Sequence, residues 1–104
     1  MRNFGKKGDV KVFNATIGDF GARPVGRRFI PTICLKEVWT DFRLAADHLW
    51  LTDNVGVSRN LHKGDKVCFF GKVGTYRGKG GERKQNIYGI TNFHIISKPR
   101  TKEA

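Results

Sequence analysis

The sequence predicts an all-β domain, because five separate stretches are rich in β-branched and aromatic residues and only one segment shows helical spacing. The chain has 104 residues and is 38% hydrophobic, which suits a single domain with one modest core. Clusters of Gly, Pro, Asn and Asp separate the five stretches, as turns would. We therefore expect one domain over residues 9–97, with flexible polar ends at residues 1–8 and 98–104.

The first two strands are predicted on either side of a loop. The stretch "DVKVFNATIGDF" (9–20) alternates apolar and polar residues, with a change of parity that a bulge near Phe13 or Asn14 would explain. "GARPVGRR" (21–28) contains three glycine or proline breakers and predicts a loop. "RFIPTICLKEVW" (28–39) predicts the second strand, in which the early proline indicates an edge position or a bulge.

The third stretch, "DFRLAADHLWL" (41–51), fits two structures. Apolar residues at helical spacing favour a helix over residues 42–48, with Asp41 as its cap. The Leu-Trp-Leu ending and the five-strand pattern favour a strand over residues 45–52, and we adopt the strand. The turn-rich segment that follows has room for one helical turn around residues 57–61.

The last two strands form a long predicted hairpin. "DKVCFFGKVGTYR" (65–77) is the clearest strand, since Val67, Phe69 and Val73 share one parity and would face the core. "QNIYGITNFHIIS" (85–97) predicts the fifth strand. The glycine-rich segment between them carries so many cations that it must be solvated. Three phenylalanines are assigned to core packing: Phe13, Phe69 and Phe93.

Five short strands with one irregular insertion between the third and fourth resemble the OB-fold, a small Greek-key barrel. Within residues 44–97, the segment "LHKGDKVCFFGKVGTYRGKGGERKQNIYGITN" resembles small OB-fold nucleic-acid-binding proteins of bacteria, plasmids and phages, of the single-stranded-DNA-binding kind. The residues that match are Gly64, Asp65, Val67, Phe69, Val73, Tyr76 and Tyr88. The resemblance implies an all-β, five-stranded OB-fold-like barrel with at most a short helical turn between strands 3 and 4.

The charge of the chain favours polyanionic partners. It carries 20 Lys and Arg against 9 Asp and Glu, for a net charge of +11 and a pI near 10.2. This balance favours nucleic acid first and an acidic membrane surface second, and it argues against an acidic mimic of DNA. The cations concentrate in residues 1–30 and 59–84, which surround a slightly acidic middle.

In the OB-fold, ligands lie across strands 2–3 and between the loops that join strands 1–2 and 4–5. The corresponding segments here, residues 18–28 and 77–84, are both basic and could hold a phosphate backbone, while exposed aromatic rings could stack bases. Tyr76 and Tyr88 either stack bases or pair across the hairpin as a brace, and Trp50 is assigned to the barrel. The predicted nucleic-acid-binding residues are Arg23, Arg27, Arg28, Lys36, Trp39, Lys72, Tyr76, Arg77, Lys79, Arg83, Lys84 and Tyr88.

No pattern in the sequence indicates catalysis, a cofactor or a metal. The three histidines are scattered, and the glycine-rich run lacks the spacing of a phosphate-binding loop. Cys34 and Cys68 lack metal-site spacing and are expected to be free thiols. Because the sequence shows no signal peptide and no apolar run long enough to span a membrane, we expect a cytoplasmic protein. Because it shows no catalytic pattern, we expect that the protein is not an enzyme.

The predicted function is non-catalytic binding of single-stranded nucleic acid, with DNA favoured over RNA. Two alternatives stay open. One is an accessory subunit of a replication or mobile-element complex, which would bind a protein partner through its basic surface or through the exposed edge of strand 2 or 5. The other is an OB domain that binds structured RNA.

Overall fold

The computed structural model describes residues 3–53 and 56–98, and this part of the chain is all-β. A single 3-10 turn at Val57–Asn60 lies between the third and fourth strands, as predicted. The strand predicted over residues 45–52 is confirmed, and the helix over 42–48 is wrong because that segment pairs with the second strand. The five strands are β1 (Val10–Val25), β2 (Arg28–Thr40), β3 (Arg43–Thr52), β4 (Lys66–Arg77) and β5 (Arg83–Ser97).

All five strands belong to one antiparallel sheet in the order β3-β2-β1-β4-β5. The sheet is not closed, so β3 and β5 are its two edges, and the closed form of the predicted barrel is not observed. The β5 edge is irregular, because Gly89 and Asn92 have φ angles of 59° and 53° and the register with β4 shifts beside them. Such bulges bend a strand and interrupt regular pairing.

The curved sheet surrounds one core to which every strand contributes. Buried side chains from the five strands include Phe13, Leu35, Leu49, Phe69 and Ile87. The rings of Phe13 and Phe69 stack with centroids 5.6 Å apart, and those of Phe69 and Phe93 stack at 5.3 Å. The packing roles predicted for these three phenylalanines are therefore confirmed.

The segment before β1 also belongs to the core. Phe4 is fully buried and packs edge-on against Phe13, with ring centroids 5.8 Å apart. The side-chain amide of Gln85 on β5 makes two hydrogen bonds to this segment. Its Oε1 accepts from the Phe4 N–H at 2.7 Å, and its Nε2 donates to the Gly5 carbonyl oxygen at 2.7 Å. This anchored residue lies within a segment predicted to be flexible. Residues 1–2 of this segment lie outside the described residues. Of the C-terminal end predicted to be flexible, residues 98–104, only Lys98 is described.

The loop predicted over residues 18–28 is wrong, because these residues form the end of the β1–β2 hairpin. Only Gly26 and Arg27 lie outside the strands, and Gly26 adopts a φ of 61° that a turn needs. Pro24 fits inside the strand because β4 pairs with β1 only over residues 10–16, so no described strand pairs with Pro24 on the side away from β2.

The second predicted loop is shorter than expected. Arg77 ends β4, and Arg83 and Lys84 begin β5, so only five residues of the predicted 77–84 loop lie outside the strands. The strands hold these three cations at the base of the tip. Their positions are therefore set by the hairpin ladder, in which Arg77 pairs with Arg83.

The start of β1 has a simpler alternation than the sequence suggested. Val10 and Val12 are 70% and 46% exposed, whereas Phe13 is fully buried, and the register with β4 is continuous through Thr16. The two valines therefore lie on the outer face of the sheet, and no bulge separates them from Phe13 on the β4 side. A register shift does occur on the β2 side, between Asn14 and Thr16.

Candidate nucleic-acid interface

The open seam between β3 and β5 forms a groove of about 1030 Å³. One wall belongs to the β1–β2 hairpin and the other to the β4–β5 hairpin, while the end of β3 lies between them. Residues that line it include Arg23, Val25, Ile30, Trp50, Leu51, Thr52, Tyr76, Asn86, Tyr88 and Phe93. The groove thus brings together the two hairpins that the sequence analysis assigned to ligand binding.

Three partly exposed aromatic side chains line this groove. Trp50 and Tyr88 are each 45% exposed, and Tyr76 is 37% exposed. Tyr88 lies against the backbone of β4, because a Cβ on Gly74 would approach its Cδ2 and Cε2 atoms to 2.4 Å. Gly74 is therefore required for the ring to lie so close to the strand. A ring that is supported from below and open above offers a surface for stacking a base.

The two tyrosines are not direct cross-strand partners. The register places Tyr76 opposite Lys84 and Tyr88 opposite Lys72. All four side chains lie on the same face of the hairpin, because directly opposed residues share a face and Lys72 and Tyr76 are four residues apart on β4. The brace predicted as one alternative is therefore not formed by a directly opposed tyrosine pair.

Trp50 is the groove residue that the sequence analysis assigned elsewhere. Leu49 and Leu51 are buried, so the strand alternation turns Trp50 outward, and the assignment of Trp50 to the barrel is wrong. The ring lies over Gly21 of β1, where an added Cβ would come within 3.3 Å of it. The alternation within Leu-Trp-Leu was the signal that could have identified this exposed ring.

The cations predicted to bind phosphate lie on both hairpins. Arg23 lines the groove, with Nη1 3.4 Å from the Thr52 hydroxyl oxygen of β3. Arg27 and Arg28 follow at the β1–β2 turn. The β4–β5 tip carries the remaining group, Arg77, Lys79, Arg83 and Lys84. Of these cations, Arg23 lines the groove on the β1–β2 side, and the others lie at or beside the tips of the two hairpins.

Most of these cations are not neutralised by acids. Among residues 3–53 and 56–98, the ion pairs are Lys11–Asp41, Lys63–Asp19, Lys84–Glu82 and Lys98–Asp65. Of the predicted phosphate contacts, only Lys84 is in such a pair, at 3.5 Å from the Glu82 carboxylate. That pair is exposed, and exposed pairs of this kind are weak. The other cations of the two hairpins remain available to a polyanion.

Three predicted site residues lie outside the groove. The stem of Lys36 covers Gly18 on the outer face of the sheet, where an added Cβ would lie 2.6 Å from its Cγ. Trp39 lines a small separate depression, because Glu37 has a φ of 51° and forms a bulge that reverses the alternation after it. Lys72 lies opposite Tyr88 on the same face of the β4–β5 hairpin, but it is not among the residues that line the groove. The structure therefore does not bring these three side chains to the groove.

Asp53 is an acidic residue of the groove whose carboxylate is hydrogen-bonded to backbone N–H groups. Its carboxylate accepts hydrogen bonds from the N–H groups of Gly56, Val57 and Ser58 at 2.8, 3.0 and 2.8 Å. Burial alone would raise the pKa of Asp53, but the hydrogen bonds from Ser58, Val57 and Gly56 outweigh it and hold the pKa below its ordinary value of 3.8. Asp53 therefore remains ionised and fixes the 3-10 turn beside the groove.

We expect Asp53→Ala to lower the free energy of unfolding at pH 7 by about 1–3 kcal/mol, because three partly buried N–H groups lose a charged acceptor. The folded-state pKa is lowered, so this stabilisation is present above the unfolded value of 3.8 and is lost as pH falls through the folded value. Urea unfolding at pH 7, 5 and 3 checks this expectation. A difference between wild type and variant that persists undiminished at pH 3 would contradict it.

Within the described residues, no group of three or more His, Cys, Asp and Glu side chains is placed to hold a metal ion. In the same part of the chain, no helix has the length and apolar character needed to cross a membrane. Comparisons with protein-family models, curated proteins and solved structures gave no match. The geometry and charge of the groove are therefore the basis for assigning a function.

Proposed function

We propose that this protein is an OB-fold-like domain that binds single-stranded nucleic acid without chemistry, with DNA favoured over RNA. The observation that carries the proposal is the groove between β3 and β5, where three partly exposed aromatic rings lie between two cationic hairpins. The OB-fold is a five-stranded, partly open barrel that uses this combination of a strand face and two flanking connections. The open seam and the single turn between β3 and β4 fit that description.

In the proposed mechanism, aromatic rings bind the bases of the ligand and cations bind its phosphates. Bases stack on Trp50, Tyr76 and Tyr88, while Arg23 and the cations of the two hairpin tips contact phosphates. Stacking of this kind requires unpaired bases, because the bases of a duplex already stack on one another. The negative charge of Asp53 repels phosphates only weakly, because its carboxylate accepts hydrogen bonds from three backbone N–H groups. Binding should therefore favour single strands and depend little on sequence.

Fluorescence anisotropy with labelled oligo-dT, the matching RNA and a duplex tests the proposal at low and high salt. We expect the single strands to bind more tightly than the duplex, and log K to fall with log[salt] by about 0.7 for each phosphate contact. Stacking on Trp50 should also quench tryptophan emission. Absence of single-strand binding at low salt would overturn the proposal, and the RNA arm ranks RNA against DNA.

Trp50→Ala and Tyr88→Ala are each expected to weaken single-strand binding by about 1–3 kcal/mol, or about 5–150-fold, because each removes one stacking surface. The salt dependence should stay unchanged, since neither ring carries charge. The matched control is Trp39→Ala, which removes a ring that is equally exposed but lies outside the groove. Equal losses for Trp39→Ala and Trp50→Ala would place the stacking surface elsewhere.

A second candidate is a protein-binding accessory subunit of a replication or mobile-element complex. The observation that favours it is the β5 edge, whose residues 86–93 line the groove and, within the described residues, have no strand partner on the side away from β4. The alternative edge on β2 is occupied by β3 from Thr32 to Thr40. An extended peptide could pair with β5 through main-chain hydrogen bonds. Such binding would survive high salt, which distinguishes it from binding to phosphates.

The two free thiols fit a reducing compartment such as the cytoplasm. Burial raises the pKa of the Cys34 thiol, which keeps it protonated. The protein is therefore proposed to act there as a binding protein and not as a thiol-based enzyme.

A further inference from the structure

The outer face of β4 continues away from the groove. Even-numbered positions on β4 point outward, because Phe69 and Val73 are buried while Phe70 is 41% exposed. Lys72 and Tyr76 follow Phe70 on the same outward-facing row. Phe69 packs in the core, whereas Phe70 points to the opposite face of the strand and does not belong to the core.

The neighbours of Phe70 extend this surface across the sheet. Val12 on β1 lies opposite Phe70 and is 46% exposed, and Val10 lies opposite Lys72 and is 70% exposed. On the other side of β4, Tyr88 lies opposite Lys72. We call this surface, formed by Val10, Val12, Phe70, Lys72 and Tyr88, the outer strip.

The outer strip meets the groove at one side chain. Tyr88 lines the groove and also lies beside Lys72 in the strip. From Tyr76 to Phe70 the strand covers about 20 Å, at about 3.4 Å per residue. A single strand that leaves the groove past Tyr88 therefore meets a cation and then an exposed ring, without crossing the core.

The charge of the strip favours a polyanion. Within the described residues, Lys72 takes part in no ion pair. Pairing this strip with the same strip of a second copy would bring two such lysines and two chains of net charge +11 together. A nucleic-acid strand would instead offer phosphate to Lys72 and a base to Phe70.

We propose that single-stranded nucleic acid runs from the groove over the outer strip, with a phosphate at Lys72 and a base stacked on Phe70. This inference rests on the proposed function and adds a second segment to the same binding path. The path makes affinity depend on ligand length, because a short strand fills the groove and only a longer strand reaches Phe70. Known sites on single OB folds take about 4–16 nucleotides, which leaves room for such an extension.

The experiment measures the affinity of oligo-dT of 4, 8, 12 and 16 nucleotides for wild type, Phe70→Ser and Phe42→Ser. Phe42→Ser is the matched control, because Phe42 is fully exposed at the β2–β3 turn, outside both the groove and the outer strip. We expect Phe70→Ser to weaken binding of the longest oligonucleotides about tenfold and to leave the shortest unchanged. Phe42→Ser should change neither. Phe70→Tyr, which keeps the ring, should restore binding of the long oligonucleotides.

Three results would overturn the extended path. If Phe70→Ser leaves every length unchanged while wild type still binds, the ligand is confined to the groove and the proposed function is preserved. If Phe70→Ser weakens binding of all lengths equally, Phe70 belongs to the groove or supports the fold. If Phe70→Ser changes only the sedimentation of the free protein, the strip is an interface between two copies. Failure of wild type to bind any length would overturn the proposed function itself.

Discussion

Reversing two charges at the β4–β5 tip, Lys79→Glu together with Arg83→Glu, is expected to weaken binding of single-stranded DNA about 100-fold. A hydrogen bond to a charged group contributes about 1.5–3 kcal/mol, and 1.4 kcal/mol corresponds to a factor of ten. Neither side chain forms an ion pair within the described residues, so both charges are available to phosphate. Loss of two contacts should also reduce the salt slope by about 1.4.

The matched control is Arg43→Glu together with Lys66→Glu. It changes the net charge by the same amount, but both residues lie outside the groove and the two hairpin tips. If long-range attraction alone drives binding, the two double variants will lose the same affinity. If the hairpin tip holds phosphates, only the Lys79 and Arg83 variant will lose affinity and salt slope together. Thermal unfolding of both proteins should stay close to wild type, because all four side chains are exposed.

The strands could be predicted from the sequence because alternation is a local property. Val67, Phe69 and Val73 share a parity and are all buried, so β4 was readable residue by residue. The extension of β1 through Pro24 was missed because a proline breaks a strand only where a neighbouring strand needs its N–H. Which edge of β1 is free depends on how far β4 extends along it, and this is a property of the assembled sheet.

The groove could be predicted only in part, for the same reason. The cations of both hairpins were identified, since charge on glycine-rich segments must be solvated. Trp50, predicted in the barrel, lines the groove, although the alternation with Leu49 and Leu51 could have shown that it points outward. Trp39, predicted at the binding site, lies outside the groove, because the bulge at Glu37 changes which residues of β2 point outward. A bulge depends on the pairing with the neighbouring strand, so the sequence of β2 alone does not locate it.

Phe4→Ala is expected to lower the free energy of unfolding by about 3–5 kcal/mol, since large-to-small changes of a buried phenylalanine fall in that range. The Phe4 ring is fully buried against Phe13, and its N–H is bonded to Gln85. For a domain of this size each kcal/mol shifts the Tm by about 4–8 °C, so the Tm should fall by more than about 10 °C. Differential scanning calorimetry measures this shift.

Phe42→Ala serves as the control, because Phe42 is fully exposed and its truncation removes no buried surface. Its Tm should stay within about 4 °C of wild type, as for other surface substitutions. Equal Tm values for both variants and wild type would mean that the segment before β1 contributes nothing to the core, as its glycines and lysines suggested. A selective loss for Phe4→Ala would mean that a residue outside the sheet fills the core against Phe13.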